Sequence, residues 1–133
     1  MGDAALDLVK RAYRAFADRD LAELRQLSHP EIEVYAVTGV VAGSAQPYRG
    51  ADGLAQYIHD VEQVWDEITL TPQQFDELPD GRVLVLGRVR VRRDRARMDT
   101  PNAWLWELDG ETVRRVRILT DPAEIEALSA SAG

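Results

Sequence analysis

Residues 102–120, NAWLWELDGETVRRVRILT, constrain the fold more than any other stretch of the chain. Two runs of strand-forming residues flank Asp109-Gly110, a dipeptide that accepts positive φ and so favours a tight hairpin turn. The first run alternates: Asn102, Trp104, Trp106 and Leu108 share one face, and Ala103, Leu105 and Glu107 share the other. In the second run Val116 and Ile118 share a face while Arg115 and Arg117 take the opposite one. This pattern predicts a hairpin at the centre of a curved sheet, with both tryptophans on its covered side.

A chain of 133 residues is one domain by size and buries roughly two thirds of its surface on folding, enough for one core. Cysteine is absent, which excludes disulfides and thiolate metal sites. No apolar run approaches the length of a membrane span. The N-terminal stretch, MGDAALDLVKRAYRAF, carries acids and a helical pattern in place of a signal peptide's apolar block, so a cytoplasmic location is the expectation. A formal charge of −7 opposes general binding to nucleic acid or acidic membranes.

The rest of the chain supplies cover for that sheet. Leu6, Val9, Tyr13 and Phe16 fall on one face of a helix over 3–18. Asp20 and Glu23 form a possible capping box for a second helix through Leu27, which His29-Pro30 ends. Residues 31–37 alternate as a first strand. The three glycines and one proline of 38–50 predict a loop, with a short extended piece at Gly39–Ala42. Asp52 can cap a third helix to about Asp66, with Leu54, Tyr57 or Ile58, Val61 and Trp65 along its apolar stripe. Strands follow at Ile68–Glu77, where Pro72 suggests an edge or a bulge, at Arg82–Arg93, and from Arg97 or Met98 into Trp104. Asp121, Pro122 and Glu124 carry three helix-start signals, and Ile125 and Leu128 are the apolar contacts of the short helix they open. Helices early and strands late argue for an α+β fold with an antiparallel meander.

Spread over nearly the whole chain are Ala15-Phe16 before Asp20-Leu21, His29-Pro30-Glu31-Ile32-Glu33, Tyr48-Arg49-Gly50 before Gly53, Leu86-Gly87-Arg88, Trp106-Glu107-Leu108 with Asp109-Gly110, and Arg117-Ile118-Leu119-Thr120-Asp121. In this order and spacing the chain resembles the SnoaL-like branch of the nuclear transport factor two-like superfamily. The resemblance implies a cone-shaped α+β barrel of cystatin-like type: a bent antiparallel sheet wraps three N-terminal helices and leaves a pocket on its concave side. Members include isomerases, epoxide hydrolases, polyketide cyclases and non-enzymatic binding or dimerising modules, so the fold sets the pocket's place and leaves its chemistry open.

The family's isomerases use a first-strand carboxylate and an oxyanion hole of one tyrosine and one protonated acid. The matching positions here are Val34-Tyr35-Ala36, a helix site near Ala12 with Tyr13 one residue away, and a late-strand site near Trp104; the acids are missing. The epoxide hydrolases pair an arginine and an aspartate on one strand with an aspartate on the last strand. Arg97-Met98-Asp99 has the first spacing, but the last-strand partner falls near Ile118, which cannot accept a proton. If the protein is an enzyme of this kind, Asp99 is the expected base, with Tyr13, Arg88 or Asn102 as orienting or oxyanion groups and proton transfer, cyclisation or water addition as the reaction. The pocket residues expected to meet a small apolar organic molecule are Phe16, Tyr35, Tyr57, Trp65, Asn102, Trp104, Trp106 and Ile118, since such sites are aromatic with few polar groups. Neither His29 nor His59 has a partner at ligand spacing, so no metal is expected, and with no P-loop or Gly-x-Gly-x-x-Gly motif no cofactor is expected.

The sharpest charge feature is the arginine run from Arg88 to Arg97. Its interleaved residues are mainly valines, where single-strand nucleic-acid binding calls for aromatics. An outer sheet face solvated and paired with acids across strands, or a homodimer surface, fits it better. Two readings stay open: a SnoaL-like protein that binds or transforms a small molecule in the cone, and a non-catalytic module whose sheet dimerises and whose pocket is merely core.

Overall fold

The computed structural model describes residues 2–44 and 46–132. In chain order it comprises α1 (Gly2–Ala17), α2 (Leu21–Leu27), β1 (Ser28–Tyr35), α3 (Val37–Ala42), β2 (Tyr48–Arg49), α4 (Gly50–Val64), β3 (Glu67–Glu77), β4 (Val83–Arg93), β5 (Ala96–Asp109), β6 (Thr112–Leu119) and α5 (Pro122–Ala132). The fold is α+β, as expected. The six strands form one curved, unclosed sheet in the order β2-β1-β6-β5-β4-β3. β3 to β6 are the antiparallel meander, and β1 joins β6 in parallel.

Local signals explain most boundaries. Arg19 takes a left-handed φ of 53° and ends α1. The Asp20 carboxylate accepts the Glu23 N–H at 3.1 Å and starts α2, the satisfaction that an N-cap provides. The Glu23 side chain does not return the bond; it pairs instead with Arg11 at 2.8 Å, so the capping box is only half formed. Asp121 accepts the Ala123 N–H at 3.0 Å at the head of α5.

Four expectations need correction. β1 starts at Ser28, directly after α2, and absorbs His29-Pro30 in a stretch where its register against β6 shifts. α4 opens at Gly50, with no side-chain cap from Arg49, and Asp52 sits inside its first turn. The 38–50 segment is not a plain loop but holds the short strand β2. The extended piece expected at Gly39–Ala42 is the helix α3. The valines and threonine of α3 favour strand by propensity, but its anchoring is tertiary: the Trp65 indole N–H donates to Thr38 Oγ1 at 2.9 Å.

The parity of the 102–120 hairpin places the core. Trp104 pairs with Ile118 and Trp106 with Val116, and these face inward against α1, α2 and α4 in the main core. Ala103, Leu105 and Leu119 face the other way and pack with Leu78 and Leu84 in a second cluster, against which Ile125 and Leu128 of α5 rest. The outer face of the sheet is therefore partly covered.

β3 is an edge strand, and its register against β4 shifts beside Pro72. Here the two backbones approach closely. A Cβ on Gly87 would lie 2.2 Å from the Thr71 carbonyl oxygen, so only glycine fits at this bend of the sheet.

Candidate functional site

The concave side of the sheet encloses a cavity of about 190 Å³. Its inner end is closed by α1, α2 and the β5–β6 pair through Tyr13, Leu24, Leu27, Trp106 and Val113. Its outer end lies between α3, Trp65 and the strands β3 to β5. There the lining residues Val37 and Met98 are 45% and 52% exposed, which marks the mouth.

The aromatic wall is interlocked. The Tyr13 ring meets Trp104 edge-on at 5.6 Å and lies 5.1 Å from Trp106. Phe16 stacks on Tyr57 at 5.6 Å, and Tyr57 leans on Tyr48 at 5.2 Å. Such pairs fix ring positions as well as bury area.

Beside Ser28, Tyr35, Thr38 and Thr100, three further polar groups interrupt this wall. The Trp106 indole N–H donates to the Tyr13 hydroxyl at 3.2 Å. Burial pushes the Tyr13 phenol far above its ordinary value, against the opposing hydrogen bond from Trp106. Burial also raises the Tyr57 phenol strongly. Both hydroxyls stay protonated and able to donate. The third group is Asn102, whose Nδ2 is buried and has no hydrogen-bond partner among the described residues. No carboxylate, imidazole, lysine or arginine appears among the lining residues.

All eight residues expected to line a pocket do line this cavity: Phe16, Tyr35, Tyr57, Trp65, Asn102, Trp104, Trp106 and Ile118. Tyr35 does so from the end of β1, at the register position of Arg117. Tyr13 lines it too, whereas Asp99 and Arg88 do not. The β4–β5 ladder runs without a break from Val83↔Trp106 to Arg93↔Ala96, so Pro101 introduces no bulge. Asn102 pairs with Gly87 on the cavity face, and three residues away Asp99 pairs with Arg90 on the outer face. Asp99 there accepts from Arg88 Nε at 2.8 Å and lies 3.6 Å from Arg90. The hydrogen bond from Arg88, chiefly, holds its carboxyl below the ordinary aspartate value. An expected base and an expected oxyanion group are thus a salt bridge on the far side of the sheet.

Sequence reasoning missed Val89, Val91, Met98 and Thr100, which also line the cavity. The alternation in the arginine run carried that signal: with Arg88, Arg90 and Arg92 outward, the intervening valines must point inward. Thr38 was missed because α3 was.

A second buried polar cluster holds the cover of the mouth in place. Asp60 on α4, 6% exposed, accepts from Ser44 Oγ at 2.6 Å, Tyr48 Oη at 2.7 Å and Gln56 Nε2 at 2.7 Å. It ties the segment after α3 to α4. No cluster of three or more metal-ligating side chains occurs among the described residues. No helix among them is long and apolar enough to cross a membrane.

The chain is similar to an uncharacterized protein of Mycobacterium tuberculosis, 35% identical over 127 residues and covering 94% of this chain and 95% of that one. Among solved structures, an NTF2-like protein of unknown function from Burkholderia pseudomallei superposes with a TM-score of 0.77 at 23% identity, over 94% of this chain and 96% of the other. TerC, co-crystallized with polyporic acid, superposes with a TM-score of 0.77 at 22% identity, over 96% of this chain and 99% of the other. Likeness at these identities speaks for the fold alone. The model of the SnoaL-like domain matches residues 9–116, nearly the whole span from α1 to β6, and it shows that this chain belongs to the SnoaL-like family.

Proposed function

We propose that the protein binds a small, largely apolar organic molecule in the cone and holds one acceptor oxygen of it on the Asn102 amide. The observation that carries this reading is the buried, unpartnered Asn102 Nδ2 in a largely apolar wall. Leaving such a donor unpaired costs about 1–3 kcal/mol, a cost that a ligand carbonyl or phenolate oxygen relieves. The Tyr13 and Tyr57 hydroxyls are further donors of the same sense. Donors without a base favour binding, and polarising a carbonyl, over proton abstraction. The volume supports a ring-sized guest: an apolar cavity of roughly 150 Å³ accommodates benzene. TerC, which shares the fold, was co-crystallized with polyporic acid, and this supports a small organic molecule as the kind of partner.

Calorimetric titration with 2-acetylnaphthalene and naphthalene tests the proposal. The ketone is expected to lose about tenfold in affinity in Asn102→Leu, the loss of roughly one hydrogen bond, while naphthalene binds wild type and variant alike. Equal affinities of the ketone for both proteins, or no binding of either probe, rejects it.

Homodimerisation through the outer face of the sheet is a separate proposal. α5 covers that face around Leu84, Leu105 and Leu119, so the surface concerned is the β3–β4–β5 end beyond it. Light scattering at micromolar concentration tests it: a monomer mass rejects the dimer and leaves the ligand reading untouched.

A further inference from the structure

The arginines of the run do not line the apolar cavity, yet its tip continues the strands beyond the lining residues Val91 and Met98. Residues 88–97 hold six arginines and one aspartate in a chain whose net charge is −7. Half of these arginines are committed on the outer face. Arg88 and Arg90 pair with Asp99, and Arg92 pairs with Asp66 and Glu67. Arg93, Arg95 and Arg97 are exposed and make no ion pair or hydrogen bond with the described residues. Asp94 is the one nearby acid outside those pairs, and its backbone N–H donates to Asp66 at 2.7 Å.

Strand parity singles out Arg93. Val91 and Met98 form one rung of the β4–β5 ladder and both line the cavity. The next rung of the same parity is Arg93↔Ala96. Arg93 therefore lies on the cavity face, about 6–7 Å beyond Val91 along the strand, with Arg95 in the adjoining turn. An unpaired guanidinium on the rim of an apolar cavity offers a fork of donors suited to a carboxylate.

We infer that the ligand is an amphipathic acid: a ring system seated in the cone, with a carboxylate on a short arm held at the mouth by Arg93 and assisted by Arg95. This rests on the reading of the cavity as a ligand site, and it adds the substrate class. Lining residues alone give no reason for an anion; the free arginines of the hairpin tip do.

The test is calorimetric titration with 2-naphthylacetate and its neutral isostere 2-naphthylacetamide, on wild type and on Arg93→Gln/Arg95→Gln. Both positions are exposed, and unchanged circular dichroism and thermal melting would certify the variant's fold. The acid is expected to bind wild type about tenfold tighter than the amide at low salt. The gap should narrow as ionic strength rises, because exposed charges are screened. In the double variant the gap should vanish while the amide's affinity holds. Equal binding of acid and amide to wild type, or a gap that survives in the variant, overturns the anion inference and leaves the cavity reading standing. If neither probe binds, both fail.

Discussion

The indole N–H of Trp106 on β5 donates to the hydroxyl of Tyr13 on α1 at 3.2 Å, across 93 residues of sequence. This bond seals the inner end of the cone, and it leaves the Tyr13 proton to donate elsewhere. Tyr13→Phe strands the Trp106 N–H in an apolar wall. The expected cost is about 1–3 kcal/mol, read as a lower urea midpoint with an unchanged m-value. A midpoint equal to wild type would show that the bond contributes nothing net.

Asn102→Leu should separate stability from binding. The amide has no partner in the wall, so an apolar side chain there removes a desolvation penalty. Thermal melting is expected at the wild-type temperature or slightly above, even as ketone binding falls. A clear drop in melting temperature would assign Asn102 to the core's own architecture.

Asp99→Asn should leave probe binding within twofold of wild type. Asp99 and Arg88 are both more than 40% exposed and sit on the face away from the cavity. Exposed pairs of this kind are screened by solvent and contribute little, so the stability change should be small. A tenfold loss of binding would return Asp99 to the site.

Gly87→Ala should destabilise strongly. The new Cβ meets the backbone of Thr71 and Pro72, which cannot swing aside as a side chain can. Overpacking of this kind costs about 1–3 kcal/mol. Chemical denaturation reads it, and a neutral outcome would mean that β3 shifts freely against β4.

Acid should unfold the protein partly through Asp60. Burial alone would raise its carboxyl, but hydrogen bonds from Ser44, Tyr48 and Gln56 outweigh burial and hold it below the ordinary value. Glu33 has the same sign: burial opposes, while Arg49 and Arg115 outweigh it. Stability from a depressed carboxyl is present above the unfolded value near pH 4 and is lost as pH falls through the folded one. Asp60→Asn is expected to be less stable at pH 7 and to show a shallower fall below about pH 4 in urea titrations. An unchanged acid slope would remove Asp60 from the linkage.

Much of the fold is legible in the sequence. Alternation over 102–120 placed Trp104, Trp106, Val116 and Ile118 on the cavity side, because a strand's period leaves only two faces to choose from. Asp20 and Asp121 announced helix starts because an N-cap acts within three residues. Asp99 was misplaced because its face depends on whether Pro101 bulges, and that is decided by the ladder with β4. α3 was misread because its residues favour strand, and what holds Thr38 is the indole of Trp65, 27 residues away. Asp60 left no trace in the sequence, since its partners Ser44 and Tyr48 lie 16 and 12 residues distant.

The sequence by itself determined the α+β class, the meander and the inward set of aromatics. These follow from short-range periodicity and turn chemistry, which neighbouring residues carry among themselves. Tertiary structure alone decided that β1 joins β6 in parallel, that Asn102 is buried without a partner, that Asp99 closes a salt bridge outside the cone, and that Arg93 pairs with Ala96 beyond the Val91–Met98 rung. Each of these depends on the register between elements distant in the chain, and register is settled only when the whole sheet bends around its helices.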